Sequence, residues 1–279
     1  KLENLGSHFK DYQIIIYENN STDNTSTLLR AWQQRNPRVL IQSETVSYEK
    51  LCERVKSKAL RDKAPCRMEM IAYARNQVLK EVMSNTYDDY SYVLMTDLDF
   101  GSGWEVSGVL SCFSVNTEWD CLAGNGTTGS DIHYDRYAFR DSTFPLGPEL
   151  IGEDFWADIS RRPVRIPSHA NLHKVYSAFG GVAVYKKAAL QNCWYSGFVT
   201  DDLEHLLYKI INAELPQDNQ QIQTYRRTIG ASSTELPIQF QRNSGYDGPV
   251  CCEHAALFAS MIRNGHDKIY VNPKMVCRY

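Results

Sequence analysis

The chain has 279 residues, 43% of them hydrophobic and 11% aromatic, with 30 basic and 33 acidic side chains for a net charge of −3. That length suits one large domain or two small ones around a sizeable core, and the slightly acidic balance excludes a general nucleic-acid binder, which carries a basic face. No apolar stretch approaches the ~20 residues that span a bilayer, and the opening Lys1-Leu2-Glu3-Asn4-Leu5 is no signal peptide.

In chain order, residues 1–10 read as the tail of a helix. Gln13-Ile14-Ile15-Ile16-Tyr17 is an apolar, β-branched run of the kind found in buried parallel strands. The polar loop 18–25 follows, and residues 25–34 form an amphipathic helix with Leu28, Leu29 and Trp32 on one side. Residues 38–41 read as a short strand and 44–66 as a charged, irregular connection. Residues 67–84 make a strong helix whose periodic face holds Met68, Ile71, Ala72, Leu79 and Val82; Arg67 and Arg75, eight apart, share one side of it. Residues 92–100 read as a strand. The second half is richer in turns: a strand at 120–123, a loop-rich stretch over 124–170, strand-like residues around Gly180-Gly181, mixed and mostly polar segments from 186 to 249, a helix over 253–264 and a closing strand at 268–271. Alternating strands and helices in the first hundred residues imply a parallel α/β sheet, in which ligands bind at the C-terminal ends of strands.

The most telling segment is Tyr92-Val93-Leu94-Met95-Thr96-Asp97-Leu98-Asp99-Phe100. Two carboxylates spaced i, i+2 at the end of an extended run share a face and can converge on one hard cation. A cation held by one or two carboxylates leaves positions for phosphate oxygens and water, so the pattern suggests a metal–diphosphate site. The plain alternative is a strand followed by a polar turn through Gly101-Ser102-Gly103. Around the 18–25 loop, an Asx turn or helix cap explains Asn20 to Asp23 without any ligand. Eight cysteines occur, Cys52, Cys66, Cys112, Cys121, Cys193, Cys251, Cys252 and Cys277. No C-x-x-C pair is among them, which argues against a zinc or redox motif.

Taken together, these segments resemble the GT-A glycosyltransferases. Residues 14–25 resemble their second strand and its Ser-x-Asp-x-Thr loop. Ala74-Arg75-Asn76 resembles the helix before the metal motif, and Asp97-Leu98-Asp99 the Asp-x-Asp motif itself. Tyr134-Asp135-Arg136-Tyr137-Ala138-Phe139-Arg140-Asp141 resembles fungal capsule-associated mannosyltransferases. Ser177-Ala178-Phe179-Gly180-Gly181 resembles an acceptor-side segment, and Cys252-Glu253-His254 a late catalytic or metal-binding motif. The resemblance implies a mostly parallel central sheet flanked by helices in a single domain, with residues 1–100 binding the nucleotide sugar and 101–279 the acceptor. It also implies that the family's usual first strand, which contacts the base, is absent from this chain.

By the same resemblance, the protein is a metal-dependent transferase moving a hexose from a UDP- or GDP-sugar to a hydroxyl of a glycan, lipid or protein. Asp97, Asp99 and His254 would hold Mn²⁺ or Mg²⁺. Glu18, Asn20, Asp23, Arg67, Arg75 and Asp97 would contact the donor. Glu253 would act as general base, with Asp202 of the rival Asp201-Asp202-Leu203-Glu204-His205 segment as a second candidate. Gly180, Gly181, Tyr134 and Asp135 would lie on the acceptor side. Each has an ordinary reading beside it: ion pairing for the arginines, a β-bulge for the glycines, core or surface packing for His254 and Tyr134. Two other functions stay open, a nucleotidyltransferase making activated sugars and a non-catalytic glycan-binding relative. Three glycosylation sequons crowd the 18–25 loop, where glycans would block a site; this favours the cytoplasm, with the Golgi lumen as the alternative if an N-terminal anchor precedes the chain.

Overall fold

The computed structural model describes residues 1–54, 67–98, 103–128, 131–241 and 248–279. A short helix α1 (Leu2–Gly6) leads to β1 (Ile14–Asn19), α2 (Thr25–Arg35) and β2 (Val39–Glu44). The two strands pair in parallel, Ile14 opposite Val39 and Asn19 opposite Glu44. The Leu29 and Trp32 side chains of α2, three residues apart and so on one face, pack on Ile14, Ile16 and Val39. Leu28, expected on that same side, points to solvent at 67% exposure, because adjacent helical residues lie about 100° apart.

Next come α3 (Tyr48–Arg54), within the connection read as irregular, and α4 (Arg67–Val82). They are followed by β3 (Tyr92–Thr96), β4 (Gly103–Trp104), α5 (Val106–Leu110) and β5 (Cys121–Thr127). The stretch expected to be loop-rich contains α6 (Pro148–Ile151) and α7 (Glu153–Arg161); β6 (His173–Lys174), β7 (Val182–Lys186) and α8 (Asp201–Lys209) come next. The polar segment after them holds α9 (Gln220–Thr228), whose start is fixed by the Asn219 side chain accepting from the Gln221 and Ile222 amides. The chain closes with α10 (Glu253–Arg263) and β8 (Ile269–Arg278).

The fold is mixed α/β. Its larger sheet has the order β3-β7-β5-β8-β4, with β6 also on β8. The expectation of a mostly parallel sheet is corrected here: within this sheet only β5 and β8 run parallel, and every other pair is antiparallel. The β–α–β alternation of the first hundred residues does yield one parallel ladder, β1–β2. The antiparallel order comes from β7, which inserts between β3 and β5 from a segment almost 90 residues downstream of β3, and no local pattern specifies that pairing. All seven residues of β5 are buried, and α10 is buried from Glu253 to Met261. A single apolar cluster joins Ala72 and Leu79 of α4 to Phe258 of α10 and Val271 of β8, so residues from both 1–100 and 101–279 share one core. The seven described cysteines are all free thiols. Among the described residues no helix is long and apolar enough to cross a membrane.

Candidate active site

Helix α4 aims one side chain at the ends of two other elements. Asn76 locks the helix against the irregular segment around Tyr195: its Nδ2 donates to Tyr195 O and its Oδ1 accepts from Tyr195 N, both at 2.9 Å. About two turns earlier, Glu69 Oε2 accepts from Gly197 N at 2.6 Å. The helix so fixed places Arg75 between β3 and α10. Its Nη2 donates to Asp97 Oδ1 at 2.8 Å, and its Nε to Glu253 Oε1 at 3.2 Å. The guanidinium also lies over the Phe179 ring at 4.6 Å and near the Tyr195 ring at 5.8 Å. Cation–π contact of this kind is strongest where the charge is desolvated, and the Arg75 side chain is only 11% exposed.

Gly180 and Gly181 bring the remaining backbone together. Both have positive φ, 63° and 88°, the region open mainly to glycine. A Cβ on Gly180 would sit 2.2 Å from Gly124 O, so this turn presses directly on β5. Gly181 O accepts from Asp97 N at 3.1 Å, and Gly180 N donates to Asp135 Oδ2 at 3.0 Å. Asp97, Asp135 and Glu253 thus gather around one guanidinium.

The charges shift one another. Burial opposes the Arg75 cation, yet Asp97 and Glu253 outweigh it and hold its pKa above the usual value. Burial pushes the Glu253 carboxyl up; Arg75 pulls it down, while Asp135 and Asp97 push it up further, and the net shift is upward. Burial likewise raises Asp135, against the Gly180 hydrogen bond. With three carboxylates to one guanidinium, the cluster favours an added cation or proton.

His254, next along α10, is not at the mouth of this site. It is 2% exposed and stacks on Phe179 at 4.1 Å between centroids, with Tyr195 edge-on at 5.4 Å. Burial, then the Arg75 charge, keeps it neutral. Its Nε2 lies 3.5 Å from Glu253 Oε1, but neither ring nitrogen makes a hydrogen bond. Among the described residues, which leave out Asp99, no three His, Cys, Asp or Glu side chains converge as a metal cage.

The other expected residues separate. Asp99 lies outside the described residues. Arg67 is exposed at the start of α4, more than two turns from Arg75. Asp202 is no part of the cluster: its Oδ2 accepts from Ser260 Oγ at 2.9 Å, about 10 Å along α10 from Glu253, where it ties α8 to α10. Glu18 is occupied by its own chain, accepting from Ser21 N, Ser26 Oγ and Ser43 Oγ at 2.9, 2.8 and 2.7 Å. Asn20, at φ 60°, exchanges hydrogen bonds with the Val46 backbone. Asp23 Oδ1 accepts from Thr25 N at 2.9 Å, an Asx turn at the start of α2. Tyr134 is 57% exposed and packs on the Tyr279 ring at 4.8 Å, beside Asp135.

Sequence reasoning missed Phe179 and Tyr195 as the aromatic walls of Arg75. Phe179 carries a faint signal in preceding Gly180-Gly181; Tyr195 carries none, since only the Asn76 clamp places it. Arg75, Asp97 and Leu98 line one end of a cleft of about 880 Å³ that runs between β1 and β3. Compared with protein-family models, curated proteins and solved structures, the chain matches none.

Proposed function

We propose that the chain is a glycosyltransferase with a GT-A-type active site, moving a hexose from a UDP- or GDP-linked donor to a hydroxyl of a glycan, lipid or protein. The observation that carries this reading is the Arg75–Asp97–Glu253 cluster at the end of β3. It combines a strand-end carboxylate, a guanidinium and a buried carboxyl whose pKa is raised. Such a combination suits a reaction that must hold a diphosphate, for which guanidinium geometry is well matched, and accept a proton from a hydroxyl.

The residues fit a divalent cation of the Mg²⁺ or Mn²⁺ type better than a closed metal cage. An ion of that kind needs only one or two protein carboxylates, because phosphate oxygens and water complete its shell. Asp97, whose side chain is 33% exposed, is assigned to it, together with Asp99. When bound, the ion would neutralise the diphosphate leaving group. Arg75 holds Asp97 and Glu253 in register and reaches toward the donor phosphates. Glu253 receives the acceptor proton, and Gly180-Gly181 holds the Asp97 backbone and the Asp135 carboxylate at their spacing. His254, neutral and stacked, supports the Glu253 side of the cluster rather than the ion.

The test is donor binding and hydrolysis over a panel of UDP- and GDP-sugars, with Mn²⁺ and with EDTA. Binding of one donor that needs the metal and is lost in Asp97→Ala is the expected result. A folded protein that binds no donor, or one whose Asp97→Ala variant binds and turns over a donor as well as the parent in EDTA, overturns the reading.

A further inference from the structure

Helix α7 carries an indole on the outside of the molecule. Trp156 is 49% exposed, yet its ring is held. It lies parallel to the Tyr137 ring, with 6.0 Å between centroids and 11° between planes. The buried Phe155 ring meets it at 5.0 Å and close to a right angle. The indole is thus backed on one side and open to solvent on the other.

A buried charge fixes this backing. Tyr137 sits in a turn over residues 136–138, and Arg140, buried beneath it, reaches back to that turn. Its Nη1 donates to Phe139 O at 2.8 Å, to Tyr137 O at 3.0 Å and to Arg136 O at 3.4 Å. The same guanidinium lies over the Phe155 ring at 5.2 Å. Its Nη2 is 3.5 Å from Oε2 of the buried Glu149, where Gly147 leaves no room for a Cβ. Taking charges out of water costs several kcal/mol per ion, and here that cost is committed to the carbonyls of a surface turn and the ring behind Trp156. The turn also adjoins the Arg75 cluster. Tyr137 follows Asp135, which accepts from Gly180 N at 3.0 Å, by two residues, at most about 7.6 Å between Cα atoms. Along α7, Glu153 three residues before Trp156 and Ser160 four residues after it share its face, and both are exposed. Burial, with Cys252 and Glu149 nearby, keeps the Tyr137 phenol protonated.

We propose that the Tyr137–Trp156 pair is a stacking platform for a pyranose unit of an oligosaccharide acceptor, which, resting on the transferase reading above, narrows the acceptor from glycan, lipid or protein to glycan. The C–H face of a pyranose carries slight positive charge, and the face of an aromatic ring is negative, so the two attract as flat surfaces of similar size. The rim of the same sugar is lined with hydroxyls, and the Glu153 carboxylate beside the indole accepts hydrogen bonds from such groups. An acyl chain calls for an apolar groove, whereas the borders of this platform are polar. Trp156 stands one ring beyond Tyr137 as seen from Asp135. The stacked unit and the unit presenting its hydroxyl to Glu253 are therefore neighbours in one chain rather than the same sugar.

The experiment uses the whole chain labelled with 5-fluorotryptophan. Of its five tryptophans, the Trp156 fluorine signal is the one missing in Trp156→Phe. Linear trisaccharides of mannose, glucose and galactose are titrated without donor or metal, beside decanoate and a short Ser- and Thr-containing peptide. At least one trisaccharide is expected to move the Trp156 signal saturably at millimolar concentration. Its midpoint should rise about fivefold in Tyr137→Ala, the size of an aromatic-pair contribution. Glu153→Ala, at an exposed position, should raise it by a similar factor and keeps the test available should Tyr137→Ala not fold. Where a donor turns over, Trp156→Ala should raise KM for that trisaccharide more than it lowers kcat. No saturable shift with any trisaccharide, a shift with decanoate or the peptide alone, or parent-like midpoints in the folded variants overturns the platform, whether or not a donor binds. Saturable sugar binding at Trp156 with no donor binding keeps the stacking site and overturns the transfer reading instead.

Discussion

At the residue scale, Arg75 is the group whose loss the site can least absorb. Removing one partner of a buried ion pair leaves the other charge uncompensated, at a cost of about 3–5 kcal/mol, and here two carboxylates share the one guanidinium. Arg75→Met is expected to lower stability by that amount in urea unfolding. Adding Glu253→Gln should recover part of it, since it removes one of the stranded charges; additive losses would show that the two side chains do not interact. Glu18 makes the opposite use of a carboxylate. Burial would raise its pKa, but hydrogen bonds from Ser43, Ser21 and Ser26 hold it at about 2, against an ordinary 4.5. The folded state therefore binds this proton less tightly than the unfolded chain does. The contribution is full above about pH 5 and is lost as pH falls from 4.5 toward 2. Glu18→Gln should cost about 1.5–3 kcal/mol at pH 7, and its difference from the parent should shrink across that window. A pH-independent difference would point to shape rather than charge. Glu253, whose pKa is raised, has the reverse sign: its ionisation costs stability as pH rises through its folded-state value, so Glu253→Gln should gain relative to the parent above that point.

At the element scale, the site depends on how turns and helix faces are pressed together. Gly180 has both a positive φ and no room for a Cβ. Gly180→Ala combines left-handed strain of about 1–2 kcal/mol with overpacking against the β5 backbone, and a loss of about 3 kcal/mol is expected by calorimetry. A loss under 1 kcal/mol would mean that the turn and β5 part easily, and with them the Asp97–Gly181–Asp135 spacing. Asp202 tests the other direction. It ties the start of α8 to Ser260 on α10, away from Arg75. Asp202→Ala should therefore cost about 1 kcal/mol and leave turnover of any donor close to the parent. A hundredfold loss of turnover with stability intact would return Asp202 to the catalytic set.

At the scale of the whole molecule, packing is uneven. The large sheet and α10 share a continuous buried cluster, but the β1–β2 pair rests on three buried residues, Ile14, Ile16 and Val39, with a few partly buried neighbours. Local opening follows local burial. Native-state hydrogen exchange is expected to protect amides of β5, β7 and β8 at least a hundredfold more than those of β1 and β2; equal protection would show that the two sheets already open as one unit.

The sequence by itself determined the elements whose period is strong and whose partners are near: β1, β2, α2, α4, β3 and α10 all lie within a few residues of where apolar pattern and flanking polar residues put them. It also singled out Asp97, a carboxylate at the end of an apolar run, whereas Arg75, Glu253 and the Gly180-Gly181 turn drew notice through the resemblance to GT-A enzymes. The short helices α6, α7 and α9 escaped, since each is nine residues or fewer and shows too little periodicity to be told from a loop. Tertiary structure alone decided the rest. That β7 reaches β3 across almost 90 residues, that Asp202 faces Ser260 while Glu253 faces Arg75, and that Phe179 and Tyr195 enclose the guanidinium are contacts between distant segments. No local propensity encodes such contacts; they follow from which faces remain to be buried once each element has formed.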